Sequence, residues 1–268
     1  MSESITFFEL IEELEQLYPT QLAEEWDQVG IHFGYGLNQC KRIMTALDIR
    51  PEVIQEAIEN NIDTIIVHHP PIFVPIQRFD NSTADLIMYH QIIKNDINVF
   101  AMHTNLDKAQ NGMNDWLAQA LELKNITELH ESEEGMTGLG RIGELDTPLN
   151  RNELFEYIKS HLHAERLTII EKVIKNNYQR IAIVGGSSFE SIDIALSKEA
   201  DVFITGDITY HKGHDAYEKD ILTIDAGHYI ERIFSPKMKE VIDDLADSQD
   251  WDIQVVESKT NTNPFTYI

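Results

Sequence analysis

Histidine and carboxylate residues follow several apolar runs of this chain, each at the point where the run ends. Three places carry them, with the residues His68-His69, His103 with Asp107, and His228 with Glu231. Because α/β proteins build sites at the carboxyl ends of parallel strands, we expect strands to deliver these side chains to one rim. Imidazole nitrogens and carboxylate oxygens are ligands for divalent ions such as zinc, iron or manganese. The pattern predicts a pair of bound metal ions.

The adjacent pair His68-His69 follows the apolar run Ile65-Ile66-Val67 and precedes Pro70-Pro71. Consecutive side chains of a regular strand point to opposite faces, but the prolines end the strand and let the backbone turn, so both imidazoles can converge. An isolated His-His pair more often caps a helix or meets solvent. Because two other strand ends also carry histidine and carboxylate residues, we interpret His68 and His69 as metal ligands.

The two later places each pair a histidine with a carboxylate. Asp107 is the preferred ligand because an anionic oxygen offsets metal charge, although an Asp that caps a helix is a common alternative. His103 could ligate, orient a neighbour or move a proton. A helix beginning near Gly227 would put His228 and Glu231 at i and i+3 on one face, where Glu231 could bridge two ions.

A further apolar run ends near Asp207 and His211. We assign these two residues to supporting the ligands or to proton transfer, because the five ligands already named can hold two ions with positions left open. His103 is the third candidate for proton transfer. The segment at residues 185–188, Gly-Gly-Ser-Ser, could expose amides to a phosphate. A simple strand-to-helix connection is the preferred interpretation.

The composition excludes several classes of protein. The chain has 268 residues, of which 42% are hydrophobic, enough for a substantial core. A formal net charge of -25 disfavours nucleic-acid binding through a basic surface. The single cysteine, Cys40, allows no internal disulfide. Without a signal-peptide pattern at the acidic N-terminus or an apolar run of roughly 18 to 20 residues, we expect a cytoplasmic protein without membrane contact.

Strand and helix patterns alternate, which predicts an α/β fold with mixed, mostly parallel sheets. Thr6 and Glu9 form a capping box for a helix that Pro19 ends. Later elements of the first half are predicted strands at 42–49, 64–67 and 97–102 and helices at 51–60, 83–94 and 112–123. Those of the second half are strands at 167–170, 180–184, 202–205, 221–224 and 251–256 and helices at 152–161, 189–198 and 231–245.

The two halves share an internal repeat. Residues 41–69 overlay residues 179–207 without a gap and with seven identities in 29 positions. A second overlay, of 97–107 on 221–231, puts Asp107 opposite Glu231. We therefore predict a duplicated α/β unit whose halves face a shared cleft. The charged, glycine-containing stretch at 131–143 is the candidate boundary, giving repeats at 1–130 and 131–268.

Five motifs together resemble the Nif-three-like family, many members of which are called GTP cyclohydrolase 1 type 2 homologs. They span nearly the whole chain and are Trp26-Asp27-Gln28-Val29-Gly30, Val67-His68-His69-Pro70-Pro71-Ile72-Phe73, His103-Thr104-Asn105-Leu106-Asp107, Thr205-Gly206-Asp207 and Gly227-His228-Tyr229-Ile230-Glu231. The resemblance implies two intertwined α/β repeats, a dinuclear metal centre and homohexamers built as trimers of dimers.

The resemblance also implies the metal ligands. Carried over by motif, they are His68, His69, Asp107, His228 and Glu231, with Glu231 shared between the two ions. Longer relatives carry an extra domain between the halves, and the short connection at 131–143 indicates a form without it.

A metal pair favours hydrolysis, because bound ions lower the pKa of water to about 7 and can hold both nucleophile and substrate oxygen. We predict a metal-dependent hydrolase that acts on a nucleotide or phosphoester, a small anionic substrate. The alternative is a non-enzymatic metal-binding assembly or a protein-interaction scaffold. A ring-shaped assembly that threads nucleic acid is the least favoured hypothesis, since the acidic sequence indicates no basic inner surface.

Overall fold

The computed structural model describes residues 4–132 and 137–268, and the chain forms two compact units. The first unit comprises Met1–Leu106 and Phe234–Pro264, and the second comprises Asp107–Ile233 and Phe265–Ile268. This division differs from the contiguous repeats expected at 1–130 and 131–268 in two ways. Residues 107–130, with Asp107, belong to the second unit, and the last helix and strand return to the first. Residues 133–136 of the expected boundary lie outside the described residues.

Strands and helices alternate through much of the chain, as expected, although three runs of consecutive strands interrupt the alternation. As far as the short helix that follows the sixth strand, they are β1 (Ile5–Thr6), α1 (Phe7–Leu17), β2 (Gly30–Phe33), β3 (Gln39–Cys40), β4 (Arg42–Ala46), α2 (Pro51–Glu59), β5 (Thr64–Val67), α3 (Ala84–Lys94), β6 (Asn98–Ala101) and α4 (Thr104–Lys108). The later ones are α5 (Met113–Ala120), β7 (Lys124–Glu128), β8 (Arg141–Leu149), α6 (Arg151–His161), β9 (Thr168–Ile170), β10 (Tyr178–Ile183), α7 (Ile192–Ser197), β11 (Val202–Thr205), α8 (Tyr210–Tyr217), β12 (Leu222–Asp225), α9 (Phe234–Gln249) and β13 (Gln254–Glu257).

The first unit is built on a five-stranded sheet in the order β13-β4-β5-β6-β2. The strands β13, β4, β5 and β6 are parallel, and β2 pairs antiparallel with β6. Both β5 and β6 are buried along their whole length, as expected of parallel strands covered on two faces. Val53 of α2 and Ile92 of α3 belong to the same buried cluster as Ile65 and Val99 of these strands.

The second unit has a six-stranded sheet in the order β7-β8-β10-β11-β12-β9. Here only the neighbours β10, β11 and β12 are parallel, while β7, β8 and β9 pair antiparallel. The predicted α/β class with mixed sheets is therefore confirmed, and the mostly parallel arrangement belongs to the first unit. Two of the additional antiparallel strands, β7 and β8, pair with each other as neighbours in the chain, and the third, β9, pairs with β12.

The internal repeat is visible in the hydrogen bonds as well as in the sequence. The Asp63 carboxylate accepts the backbone amide of Arg42 at 2.9 Å, and Asp201 accepts that of Arg180 at 3.0 Å. In both units the arginine Nε donates to the carbonyl three residues before the aspartate, at 2.9 Å. In each unit, these equivalent bonds join the start of one strand, β4 or β10, to the residues just before the neighbouring strand, β5 or β11.

The C-terminal elements explain why the first unit consists of two chain segments. Strand β13 pairs in parallel with β4, and Val255 lies opposite Ile43. Thr45 of β4 also donates its hydroxyl to the carbonyl of Ser235, in α9, at 2.7 Å.

Among the described residues, no helix combines the length and apolar character that crossing a membrane requires.

Candidate metal centre

Three histidines gather at the carboxyl ends of β5 and β6 in the first unit. Ring centroids are 4.9 Å apart for His68 and His69, 5.2 Å for His68 and His103, and 5.6 Å for His69 and His103. One nitrogen from each lies within 4.8 Å of those of the other two. The turn before Pro70-Pro71 thus brings both adjacent imidazoles to one side, and this cluster can hold a metal ion.

Each of these histidines is oriented through its Nδ1 atom. His68 donates to the carbonyl of Met102 at 2.8 Å, His69 to the carboxylate of Asp48 at 2.7 Å, and His103 to that of Asp27 at 2.8 Å. A histidine whose Nδ1 proton is held in this way offers Nε2 as its metal-binding nitrogen. The hydrogen bonds therefore select the tautomer that a metal site needs.

The two orienting aspartates stay ionised. Burial would raise the pKa of Asp48, but hydrogen bonds from His69 and Thr262 and the charges of His69 and Arg50 hold that pKa below its ordinary value. Burial likewise opposes ionisation of Asp27, while hydrogen bonds from His103 and Thr104 hold its pKa far below the ordinary value. At neutral pH both groups are carboxylates that attract and align imidazole N–H groups.

A segment near the C-terminus fixes Asp48 in turn. The hydroxyl of Thr262 donates to Asp48 at 2.5 Å. The preceding residues are held by Glu56, which accepts the Ser258 hydroxyl at 2.7 Å and the Lys259 amide at 2.8 Å. Residues 258–262, here called the tail clasp, thereby support the aspartate that orients His69.

In the second unit, His228, Glu231 and Asp107 also lie close together. His228 Nε2 lies 3.1 Å from Glu231 Oε2, and carboxylate oxygens of Asp107 and Glu231 lie within 4.8 Å of each other. Glu231 is only 2% exposed. A buried carboxylate requires compensating positive charge or hydrogen bonds. A divalent cation would supply positive charge. The donor set of this cluster therefore also fits a metal ion.

His228 and Glu231 lie in a 3-10 helix, His228–Ile233, where the sequence predicted an α-helix near this point. A 3-10 helix has three residues per turn, so residues i and i+3 lie directly above one another. This geometry aligns the two side chains more closely than an α-helix would. Helix α9 begins only at Phe234, three residues after the predicted start at residue 231.

Asp107 and two glycines complete the second cluster. The carbonyl of Asp107, on α4, accepts the Asn114 amide at 2.9 Å, and the Asn114 oxygen accepts the Gly185 amide at 2.9 Å. A Cβ atom on Gly185 would lie 2.7 Å from Glu231 Oε1, and one on Gly186 would lie 3.0 Å from it. The two glycines thus make room for the Glu231 carboxylate, a reason for the Gly-Gly pair that sequence reasoning missed.

The three residues assigned to proton transfer have different surroundings. His103 lies in the histidine cluster of the first unit. Asp207 accepts His228 Nδ1 at 2.7 Å and adopts a left-handed backbone with φ of 56°, so it orients a predicted ligand. His211 lies on α8, where its ring is 5.5 Å from that of Tyr210. The structure places it in neither of the two clusters described above.

A duplicated α/β fold with candidate metal ligands at its strand ends defines the class of protein. The chain belongs to the Duf34/NIF3 (NGG1p interacting factor 3) family, whose profile matches residues 5–264. A relative called GTP cyclohydrolase 1 type 2 homolog, from Streptococcus pneumoniae, is 38% identical over 97% of this chain and 98% of its own length. The resemblance seen in the five motifs is thus confirmed.

Further comparisons agree with this assignment. A crystal structure of a hypothetical protein from Staphylococcus aureus is similar with a TM-score of 0.94 and 30% identity, covering 99% of this chain and all of that one. A Bacillus subtilis protein, also called GTP cyclohydrolase 1 type 2 homolog, is 27% identical across both full lengths, in an alignment of 373 residues. Since this chain has 268 residues, that relative carries additional sequence.

Proposed function

We propose that the protein is a metal-dependent hydrolase that acts on a nucleotide or a phosphoester in the cytoplasm. The proposed ligands of a dinuclear centre are His68, His69, Asp107, His228 and Glu231. The observation that carries the proposal is the orientation of the histidines. His69 and His228 each hold an aspartate through Nδ1 at 2.7 Å, the arrangement that presents Nε2 to a metal ion.

The metal ions would supply Lewis-acid polarisation of a substrate oxygen and a hydroxide nucleophile near neutral pH. The chain's own residues would do the rest. His103, which donates to Asp27 and lies beside His68 and His69, would accept or return a proton. Asp207 would keep His228 in its ligating tautomer, whereas His211 lies in neither cluster and takes no part in the proposed mechanism. The name shared by the relatives supports a nucleotide such as GTP as the first substrate to test.

The proposal is tested by turnover of the metal-reconstituted protein on nucleotides and phosphoesters. The Glu231→Gln variant removes a ligand charge at nearly constant volume. The control is Glu240→Gln, which alters only an exposed pair with Lys237. We expect activity in the wild type and the control and a loss of at least about a hundredfold in Glu231→Gln. Equal rates in all three proteins would reject the hydrolase.

The same experiment addresses a non-enzymatic role. Elemental analysis is run on each protein alongside the rate measurements. Metal bound by the wild type, lost in Glu231→Gln and accompanied by no turnover on any substrate would favour a metal-binding assembly or interaction scaffold. Metal binding and turnover that are both lost in the variant would favour the enzyme.

A further inference from the structure

Two aromatic side chains flank the histidine cluster of the first unit. The ring centroid of Trp26 is 6.0 Å from that of His103, and the ring of Phe73 is 5.8 Å from it. The rings of Trp26 and Phe73 are stacked, with centroids 6.5 Å apart and planes inclined by 23°. His103 itself is 5.2 Å from His68. The aromatic pair is therefore separated from a predicted metal ligand by one imidazole ring.

Both aromatic rings are open to solvent. Trp26 is 59% exposed and Phe73 is 44% exposed. Burial of such large aromatic side chains would lower the free energy, so their exposure requires an explanation. An exposed pair of nearly parallel rings beside a polar cluster is typical of a surface that a ligand covers.

Hydrogen bonds hold the segment that carries Trp26 both before and after this residue. The Glu24 amide donates to the Thr104 hydroxyl at 2.9 Å. Asp27 accepts the Thr104 amide at 2.9 Å and His103 Nδ1 at 2.8 Å. These bonds hold the backbone on either side of Trp26 against the residues that follow β6.

The segment that carries Phe73 is also held. Tyr89, on α3, donates its hydroxyl to the carbonyl of Pro71 at 2.5 Å. Pro70 and Pro71 restrict the backbone between His69 and Phe73. The same turn that brings His69 into the histidine cluster therefore also determines where Phe73 lies.

We propose that Trp26 and Phe73 form a stacking subsite for the planar heteroaromatic ring of a ligand whose anionic group is held at the histidine cluster. The inference rests on the proposed function and names the substrate class for that site. Every nucleobase has a π-face, so stacking on these rings would favour a nucleotide over an inorganic anion or an aliphatic phosphoester. The subsite would supply preference for a ring, and the metal centre would supply preference for an anion.

Binding, measured by calorimetry with the metal-loaded protein, tests the subsite without requiring turnover. The probes are GTP's imido analogue, guanosine 5′-(β,γ-imido)triphosphate, and inorganic tripolyphosphate. We expect the wild type to bind the nucleotide about tenfold more tightly than tripolyphosphate, corresponding to about 1.4 kcal/mol. Trp26→Ala and Phe73→Ala should lose that preference while keeping the affinity for tripolyphosphate. Trp26→Phe, which retains an aromatic face, should keep most of it.

The matched control is Tyr35→Ala, which removes another exposed aromatic ring of the same unit and should change neither affinity. Equal binding of the two probes by the wild type, no binding of the nucleotide at millimolar concentration, or full nucleotide affinity in both alanine variants would overturn the subsite. A changed oligomeric mass of Trp26→Ala in light scattering would also overturn it, because the rings would then belong to a subunit contact. A protein without turnover but with the expected preference would reject only the hydrolase.

Discussion

At the scale of single residues, the hydrogen-bond partners of the predicted ligands are as informative as the ligands themselves. A histidine can cap a helix, fill a core or face solvent, and its residue type does not distinguish these roles. Asp48 and Asp207 do distinguish them, because each fixes the Nδ1 proton of a predicted ligand at 2.7 Å. They are positioning residues, and their removal should weaken metal binding without removing a ligand.

Replacement of Asp48 by asparagine tests this role. We expect the affinity for Zn²⁺ to fall by about 10- to 100-fold, because the carboxylate no longer selects and polarises the His69 imidazole. Affinity is measured by competition with a chromophoric chelator, and circular dichroism verifies the fold. The control is Asp220→Asn, which neutralises an exposed carboxylate of the chain. An affinity that is unchanged in Asp48→Asn would show that Asp48 does not position the ligand.

The gathering of histidines at the strand ends could be predicted from the sequence, and Asp207 was singled out there too, but the other supporting residues could not be predicted. His68, His69 and His103 follow apolar runs that become β5 and β6, so the local pattern was sufficient. Asp48 precedes His69 by 21 positions, and Asp27 precedes His103 by 76. Thr262 follows Asp48 by 214. Contacts at such separations depend on the tertiary fold, for which a single sequence holds no local signal.

At the scale of elements, the buried parallel strands were predicted, as was the antiparallel edge strand β9, whereas the antiparallel strands β2, β7 and β8 were not. Strands β5 and β11 are continuous apolar runs, which is typical of strands covered on both faces. Strand β7 is exposed or half-buried along its length and reads like a polar loop. Strand β8 includes the end of the stretch at 131–143 that the sequence suggested as a boundary. Pairing with β7 and β10 makes residues 141–143 part of a strand, although composition alone assigns them to a connection.

A buried ion pair joins two elements of the second unit. Arg141, at the start of β8, donates to Asp115 of α5 at 2.7 and 2.9 Å, and the arginine side chain is fully buried. Replacing Arg141 by methionine would leave a buried carboxylate without its counter-charge, so we expect a loss of about 3–5 kcal/mol in the free energy of unfolding. Urea denaturation measures the change.

The control for the ion pair is the exposed pair Lys237 and Glu240, 2.7 Å apart. Lys237→Met should cost no more than about 1 kcal/mol, because solvent screens exposed pairs. A double variant with Met at position 141 and Leu at position 115 should recover part of the loss, since no isolated charge remains buried. Equal losses for the buried and the exposed pair would contradict the role assigned to Arg141 and Asp115.

The tail clasp gives a prediction about pH at the same scale. Burial would raise the pKa of Glu56, but hydrogen bonds from Lys259, Ser258 and Thr260 hold it below its ordinary value of 4.5. A lowered pKa in the folded state means that the ionised carboxylate stabilises the fold. That contribution is fully present above pH 4.5 and is lost as the pH falls through the lowered value.

Glu56→Gln should therefore destabilise the protein by about 1–2 kcal/mol at pH 7, and the difference from the wild type should shrink below pH 4.5. Thermal unfolding across a pH series measures both effects. Glu59→Gln, an exposed change on the same helix, is the control and should show neither. A difference that stays constant down to pH 3 would mean that the charge of Glu56 does not hold the tail clasp.

At the scale of the whole molecule, the sequence revealed the repeat but not how the chain is divided. The overlay of 41–69 on 179–207 corresponds to the equivalent bonds of Asp63 and Asp201, so the duplication was readable from seven identities. The return of α9 and β13 to the first unit could not be read from the sequence. An edge strand chooses its partner through long-range packing, and β13 pairs with β4, about 210 residues earlier in the chain.

Metal loading should stabilise the molecule as a whole, because an ion bound only by the folded state shifts the unfolding equilibrium. At about 100 times the dissociation constant, Zn²⁺ should add about 2.7 kcal/mol, which raises Tm by roughly 5–10 °C for a chain of this size. A chelator should reverse the shift. His69→Ala and His228→Ala should each reduce it, since each removes a proposed ligand. His163→Asn is the control, because His163 is exposed and has a φ of 51°, which asparagine tolerates. A shift of the same size in all four proteins would place the stabilising metal elsewhere, and no shift in the wild type would reject the metal centre.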